Sequence, residues 1–308
     1  MRKLLDPTLY YFCVVAQSGS LTAATEKLGA TVSALSRHIA KLEGDVGAPL
    51  FERKARGMEL SHAGRLLLRY AQNSLSDGEA VLNAIGTDQK RHHRRIRIAC
   101  TEGLAGGFLP LSLSTFYAQH SEAMIEINVA SSEEANQMLV DGEVSIALSF
   151  SLKPEPDVIV RLSLPAPVMA LMHQNHPLAE RHALALSDLS DYPMLLPDKG
   201  MTVRQLFDLA CNVDGVEIST PIVSRSSASL SRLVQVVPGA ISLSGYVSVA
   251  NNLSRNNLLT IPLRNALLHQ RRLQVRTSAI RPLPGLAEKF LDQLIEDLRR
   301  VHATHPSF

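Results

Sequence analysis

Apolar positions recur at helical spacing through the first sixty residues. Leu9, Phe12, Val15 and Ala16 share one face of a helix that Thr8 can cap. Gly19-Ser20 interrupts it, and Ser20 or Thr22 caps a second helix whose stripe is Leu21, Ala24 and Leu28, closed by Gly29. Thr31 caps a third, with Leu35, Ile39 and Leu42 at i, i+4 and i+7. Gly47-Ala48-Pro49 stops the helical period. Leu50–Arg53 and Met58–Leu60 then read as two short strands around the turn Lys54-Ala55-Arg56-Gly57. A longer helix starts at Ser61 and extends to about 88. Its seam, Leu68, Leu75 and Leu82, repeats every seven residues and calls for another helix, from its own domain or from a second copy of the chain.

Beyond the basic stretch Lys90–Arg95 the period changes. Strand-like runs at 96–100, 125–129, 145–150, 168–173, 194–196, 222–224, 240–244 and 274–277 alternate with helical runs at 105–119, 133–141, 202–211 and 228–237, and a helix at 285–302 closes the chain. Such alternation predicts an α/β fold with parallel strands, and about 210 residues suffice for two lobes.

Composition narrows the class. Of 308 residues, 45% are hydrophobic and 19% charged, a globular balance that excludes a disordered chain. No apolar run approaches membrane-spanning length, and the first residues hold no long apolar segment of the secretory type. Three cysteines, odd in number and far apart, argue against a disulfide framework and for a reducing, cytoplasmic location. The net charge of +2 hides a gradient: residues 1–60 carry +2, residues 86–97 carry +4 and residues 98–308 carry −4. An anionic polymer, if bound, therefore meets the front of the chain.

Residues Ser20–Glu43 outline a helix-turn-helix, two short helices meeting at a Gly turn with the small Ala24 at their crossing. The second helix turns Val32, Ser33, Ser36 and Arg37 outward at its N-terminal end. Arg forks onto guanine, Ser bonds bases or phosphates, and Val touches a thymine methyl. The segment Leu9-x-x-Phe12-x-x-Val15, Gly19-Ser20-Leu21-x-Ala23-Ala24-x-x-x-Leu28, Ala34-Leu35-Ser36-Arg37-x-Ile39-x-x-Leu42-Glu43, Gly47, Leu50-Phe51-x-Arg53, Gly57, Leu60-Ser61-x-x-Gly64 resembles the N-terminal domain of LysR-type transcriptional regulators. It departs at Val32 and His38, where that family usually has Gln.

The resemblance implies a multidomain α/β protein: a winged helix-turn-helix at 1–60, a linker and dimerisation helix at 61–89, and at 90–308 a two-lobed effector domain like periplasmic solute-binding proteins. Lobe 1 would span about 91–163 and 268–308, and lobe 2 about 164–267. The implied DNA contacts are Thr31, Val32, Ser33, Ser36, Arg37 and Lys41, with Arg53, Lys54 and Arg56 in the wing. The implied partners are double-stranded DNA, a small organic effector, further copies of the chain in a homodimer or homotetramer, and RNA polymerase, with no membrane. Weaker matches at Arg95–Pro110, Asp141-Gly142-Glu143, His176-Pro177-Leu178-Ala179 and Leu186–Leu189 carry the effector domain, which departs at Ser145, commonly Asp in the family.

In open α/β sheets ligands gather at helix starts beyond the carboxyl ends of strands. Thr101 and Glu102, Ser131 and Ser132, Met201 and Thr202 ahead of Arg204, and Ser226-Ser227 occupy such places. Their hydroxyls and free N–H groups suit a carboxylate, or simply cap helices. Lys199 and Arg204 would add positive potential. Glu102 would meet an amino group on the ligand, or cap its helix. No cofactor, catalytic constellation or metal site is expected. Gly103–Gly107 matches neither phosphate-loop pattern, no G-x-S-x-G occurs, and His173 and His176 lack partner ligands and read as surface residues. The competing classes are an enzyme, for which these motifs are missing, and a pure solute-binding protein, which has no need of residues 1–60.

Overall fold

The computed structural model describes residues 7–54, 57–85, 94–152, 158–283 and 285–304. The chain divides into two compact units, residues 1–92 and 93–308.

In the first unit α1 (Pro7–Ser18), α2 (Leu21–Leu28) and α3 (Val32–Val46) precede a hairpin, β1 (Phe51–Lys54) and β2 (Gly57–Leu60), and the long α4 (His62–Ile85). The caps read at Ser20, Thr31 and Gly29 form, whereas Thr8, expected to cap the first helix, lies buried inside α1, one residue after its start. Ser20 Oγ accepts from the Ala23 N–H at 3.1 Å, Thr31 Oγ1 accepts from the Ala34 N–H at 3.2 Å, and Gly29 closes α2 at φ 61°, which costs a glycine little. Phe12, Val15, Ala24 and Leu35 are fully buried where the three helices meet. Leu68, Ala71 and Leu75 of α4 join that same core, so the seam packs first on its own domain. Of the two partners the sequence left open for this seam, its own domain takes at least part of Leu68 and Leu75, which stay partly buried; the side chain of Leu82 lies outside the described residues.

The second unit holds two five-stranded sheets. One, ordered β4-β3-β5-β12-β6, contains β3 (Arg95–Cys100), β4 (Met124–Val129), β5 (Ile146–Ser151), β6 (Val158–Pro165) and β12 (Arg272–Ser278). The other, ordered β11-β7-β10-β8-β9, contains β7 (Met169–His173), β8 (Met194–Pro197), β9 (Ile222–Ser224), β10 (Ile241–Ser244) and β11 (Leu258–Pro262). The chain thus passes between the sheets at 166–168 and again at 263–271. Neither sheet is all parallel, as the sequence had led us to expect: β12 runs antiparallel to β5 and β6, and β7 antiparallel to β10 and β11.

Helices cover the sheets. In the first lobe α5 (Glu102–Gly107), α6 (Leu109–Gln119), α7 (Ser132–Val140) and α11 (Gly285–Ala303) supply the cover. Ala287, Phe290, Leu291, Leu294 and Leu298 form the buried stripe of α11, and Phe290 meets Phe116 edge-on at 5.1 Å. The second lobe is covered by α8 (Thr202–Asp214) and α9 (Ser227–Val236), with the short α10 (Tyr246–Val249) after β10. The expected helix over 105–119 is split at Phe108, because Pro110 has no N–H to continue the ladder and sits in the first turn of α6.

Candidate functional site

The N-terminal site is one face of α3. Leu35, Ile39 and Leu42 are buried, which turns Thr31, Val32, Ser33, Arg37 and Lys41 to solvent, with Ser36 half-buried between the faces. Arg37 Nε donates to the Ser33 carbonyl at 3.4 Å, holding the guanidinium near the helix start. His38, at a position where the sequence departs from the family pattern, meets the Tyr11 ring edge-on at 4.9 Å. The wing strand is anchored: Met58 N–H donates to the Gly19 carbonyl, and Leu50 N–H to the Glu43 carboxylate at 2.8 Å. Arg53 and Lys54 pair through their backbones with Met58 and Gly57. Their side chains, and Arg56 altogether, lie outside the described residues. Gly64 explains its place in the motif, because a Cβ there would fall 2.0 Å from the Leu50 carbonyl oxygen.

The second site lies where strand ends of the two lobes meet. Ala130 N–H bonds the Cys100 carbonyl, which sets Thr101 and Ser131 at neighbouring strand ends of lobe 1. Asp198 N–H bonds the Ser224 carbonyl, which does the same for the segments leading to Met201 and Ser226 in lobe 2. Glu102 crosses between them. Its carboxylate accepts from the Ser227 N–H at 2.7 Å, the Ser226 hydroxyl at 3.1 Å and the Ala228 N–H at 3.3 Å. Thr101 Oγ1 is buried with no hydrogen-bond partner among the described residues.

Several expectations change on this geometry. Glu102 neither awaits an amine nor caps its own helix: its oxygens are taken by the opposite lobe. Ser131 is spent on a capping box with Glu134, leaving Ser132, half-buried at the first helical position, as the freer hydroxyl. Arg204 is buried and bonded to Asp208 at 2.6 Å and to the Pro197 carbonyl, so its charge is matched within lobe 2. Met201 and Thr202 open α8 without a side-chain cap. Gly103–Gly107 is a helix rather than a loop. His176 is buried, not a surface group; its Nε2 bonds the Gly239 carbonyl and its Nδ1 accepts from the Leu178 N–H. Among the described residues no group of His, Cys, Asp or Glu is placed to hold a metal, and no helix is long and apolar enough to cross a membrane.

One candidate site residue escaped the sequence reading. Arg271 is buried where the chain returns to lobe 1. Its Nε donates to the Ala166 carbonyl at 2.9 Å, and its Cζ lies 4.0 Å from the centre of the Phe150 ring. Nη2 has no partner among the described residues, and burial pushes the pKa down to about 9, which leaves the group charged at neutral pH. In sequence it is one of two adjacent arginines, and nothing there marks it as the buried one.

Comparison with known proteins matches both parts of the chain to one family. A family model described as "Bacterial regulatory helix-turn-helix protein, lysR family" matches residues 8–65, and one described as "LysR substrate binding domain" matches residues 89–299. The chain is 28% identical over 264 residues to the HTH-type transcriptional regulator YdcI of Escherichia coli, covering 83% of each chain. It is 27% identical over 224 residues to a probable nitrogen assimilation transcriptional activator of Synechococcus elongatus, covering 72% of each. Among solved structures, full-length OxyR from Pseudomonas aeruginosa superposes at a TM-score of 0.68 with 17% identity, covering 97% of this chain and 96% of that one. Full-length CbnR complexed with its target DNA superposes at 0.59 with 18% identity, covering 96% and 100%. The matched domains are those of transcriptional regulators rather than enzymes. With the exposed face of α3 at one end and a two-lobed α/β unit at the other, the chain belongs to the lysR family of DNA-binding transcriptional regulators with an effector-binding domain.

Proposed function

We propose that this chain is a cytoplasmic regulator that reads duplex DNA through the outward face of α3, works as a homodimer or homotetramer, contacts RNA polymerase, and changes its DNA binding when a small organic anion enters between the lobes. The observation that carries the reading is α3 itself. Its cap at Thr31 starts a helix whose buried stripe leaves Val32, Ser33, Arg37 and Lys41 together on the solvent side. A helix so presented fits a major groove, with Arg37 suited to guanine and the wing cations to phosphates.

An acidic effector is supported by the unmatched charge of Arg271 beside the ends of β5 and β10, and by the free Thr101 hydroxyl. Met201 and Thr202 at the uncapped start of α8 and Ser132 at the start of α7 are the further contacts of this reading. No cofactor enters it.

Fluorescence anisotropy with the DNA upstream of the chain's own gene tests the DNA reading. Arg37→Ala is expected to cost about 1–3 kcal/mol on the preferred site and to relax choice at one base pair. Arg53→Ala is expected to weaken all sequences alike and to lower the salt slope by about one. Equal binding of both variants and the wild type to specific and random DNA would overturn this docking.

A further inference from the structure

We infer that Glu102 is a clasp between the two lobes, holding the cleft closed by seating its own carboxylate where the carboxylate of an acidic effector would otherwise bind. The inference deepens the reading just given and rests on it for the identity of the cleft. Glu102 belongs to lobe 1, and all three of its donors, the Ser226 hydroxyl and the Ser227 and Ala228 N–H groups, belong to lobe 2. The two N–H groups open α9, a helix of ten residues in which the Ser226 hydroxyl caps the Ser229 amide and leaves those of Ser227 and Ala228 to Glu102. Charge-assisted bonds at such a terminus are stronger than neutral ones.

Glu102 does not act alone. The rest of α5 lies flat on lobe 2. A Cβ added at Gly103 would come 3.2 Å from the Ser248 side chain, and one at Gly107 would come 1.7 Å from the Ser248 carbonyl oxygen. Asn251 Nδ2 donates to the Gly107 carbonyl at 3.1 Å, fixing the far end of α5 as Glu102 fixes the near end. The glycines let the helix come this close, and the two polar contacts stop it from sliding. Beside the clasp a cavity of about 220 Å³ is walled by Glu102, Gly106, Ser231, Arg232 and Asn252 among others. Release of Glu102 therefore enlarges an existing space. A ligand shifts an equilibrium only by its difference in affinity for the two states. Competition for these three donors supplies such a difference, because an anion gains them only when Glu102 has let go.

Amide exchange and acetate titration of the full-length protein test the clasp. In Glu102→Ala the Ala228 amide is expected to exchange at least tenfold faster than in the wild type. Acetate, used as the probe, is expected to bind saturably at millimolar concentration and to restore the protection, while the wild type shows no such binding. Unchanged exchange at Ala228 would overturn the clasp, and faster exchange without acetate binding would overturn the competition. Should Glu102→Ala fail to fold, Ser227→Pro serves instead. Proline is tolerated at the first helical position, removes the shortest of the three bonds and sets its ring against the Glu102 carboxylate, while every residue of lobe 1 is kept, so the same acceleration at Ala228 is expected and its absence is fatal. Promoter binding in the same preparations separates the two readings: a wild type that binds no DNA overturns the regulator and leaves the exchange result standing.

Discussion

At the scale of single residues, His176 shows how partners decide a protonation state. A backbone N–H can only donate and a carbonyl can only accept. The Leu178 N–H therefore requires a bare Nδ1, and the Gly239 carbonyl requires a proton on Nε2. The ring is held neutral, tilted 55° to the Tyr192 ring at 4.5 Å between centres, and burial lowers its pKa below the ordinary 6.5. Below pH 6.5 the unfolded chain takes up a proton that the native ring resists. The contribution of His176 is thus intact above 6.5 and is lost as pH falls toward its lower native value. His302, lowered mainly by burial, adds a slope of the same sign. Melting followed from pH 7.5 to 5.5 should show His176→Gln with a shallower acid loss than the wild type; an identical slope would remove His176 from the account. Two histidines in the polar run His173–His176 read as surface groups, because sequence shows the neighbours along the chain and not the Gly239 carbonyl 63 residues away. Cys13, Cys100 and Cys211 were easier to place. All are buried free thiols with pKa pushed up to about 11, so each is protonated at neutral pH.

At the scale of elements, the stripes of α1–α3 and the caps of α2 and α3 were legible because they are local: Ser20, Thr31 and Gly29 act within four residues of their own positions. The sheets were less so. An alternating apolar pattern gives a strand without giving its direction, so the antiparallel returns of β7, β11 and β12 were not visible. The strands β6 and β11 flank the crossings between lobes and were missed. The run Gly103–Gly107 was legible as unusual and illegible as to purpose, since its partner Ser248 lies far along the chain. Its purpose makes a paired prediction. Gly107→Ala drives a methyl into the Ser248 backbone, which cannot rotate away, and α5 must lift; overpacking of this kind costs about 1–3 kcal/mol. Gly106→Ala meets nothing within 4 Å and should be neutral or stabilise by about 0.5–1 kcal/mol through helix propensity. Denaturant unfolding distinguishes them, and equal effects of the two substitutions would refute the close docking of α5.

At the scale of the whole molecule, the proposed assembly needs a contact between copies, and α4 is where the family resemblance implies it. Part of the heptad seam is already consumed: Leu68, Ala71 and Leu75 close the core beneath α1 and α3. Among its described large apolar side chains α4 leaves open Leu66 and Tyr70, one turn apart, 49% and 60% exposed. Across the described residues of the first unit the other large apolar side chains exposed to a similar degree are Val32, on the DNA-facing side of α3, and Val46 at its end. An apolar pair on a helix that owes nothing further to its own domain is suited to a second copy, and aromatic residues carry such contacts disproportionately. Two copies joined there would offer two α3 helices to two half-sites, about 34–36 Å apart on the duplex or a multiple of that. The seam and the open face then predict different failures. Leu75→Glu puts a charge into the core of the DNA-binding unit and should lower its melting temperature, whatever happens to the assembly. Tyr70→Glu should leave melting unchanged while lowering the molar mass by light scattering and shortening the DNase footprint to one half-site. A Tyr70→Glu protein of wild-type mass and footprint would exclude this face of α4 as the contact between copies.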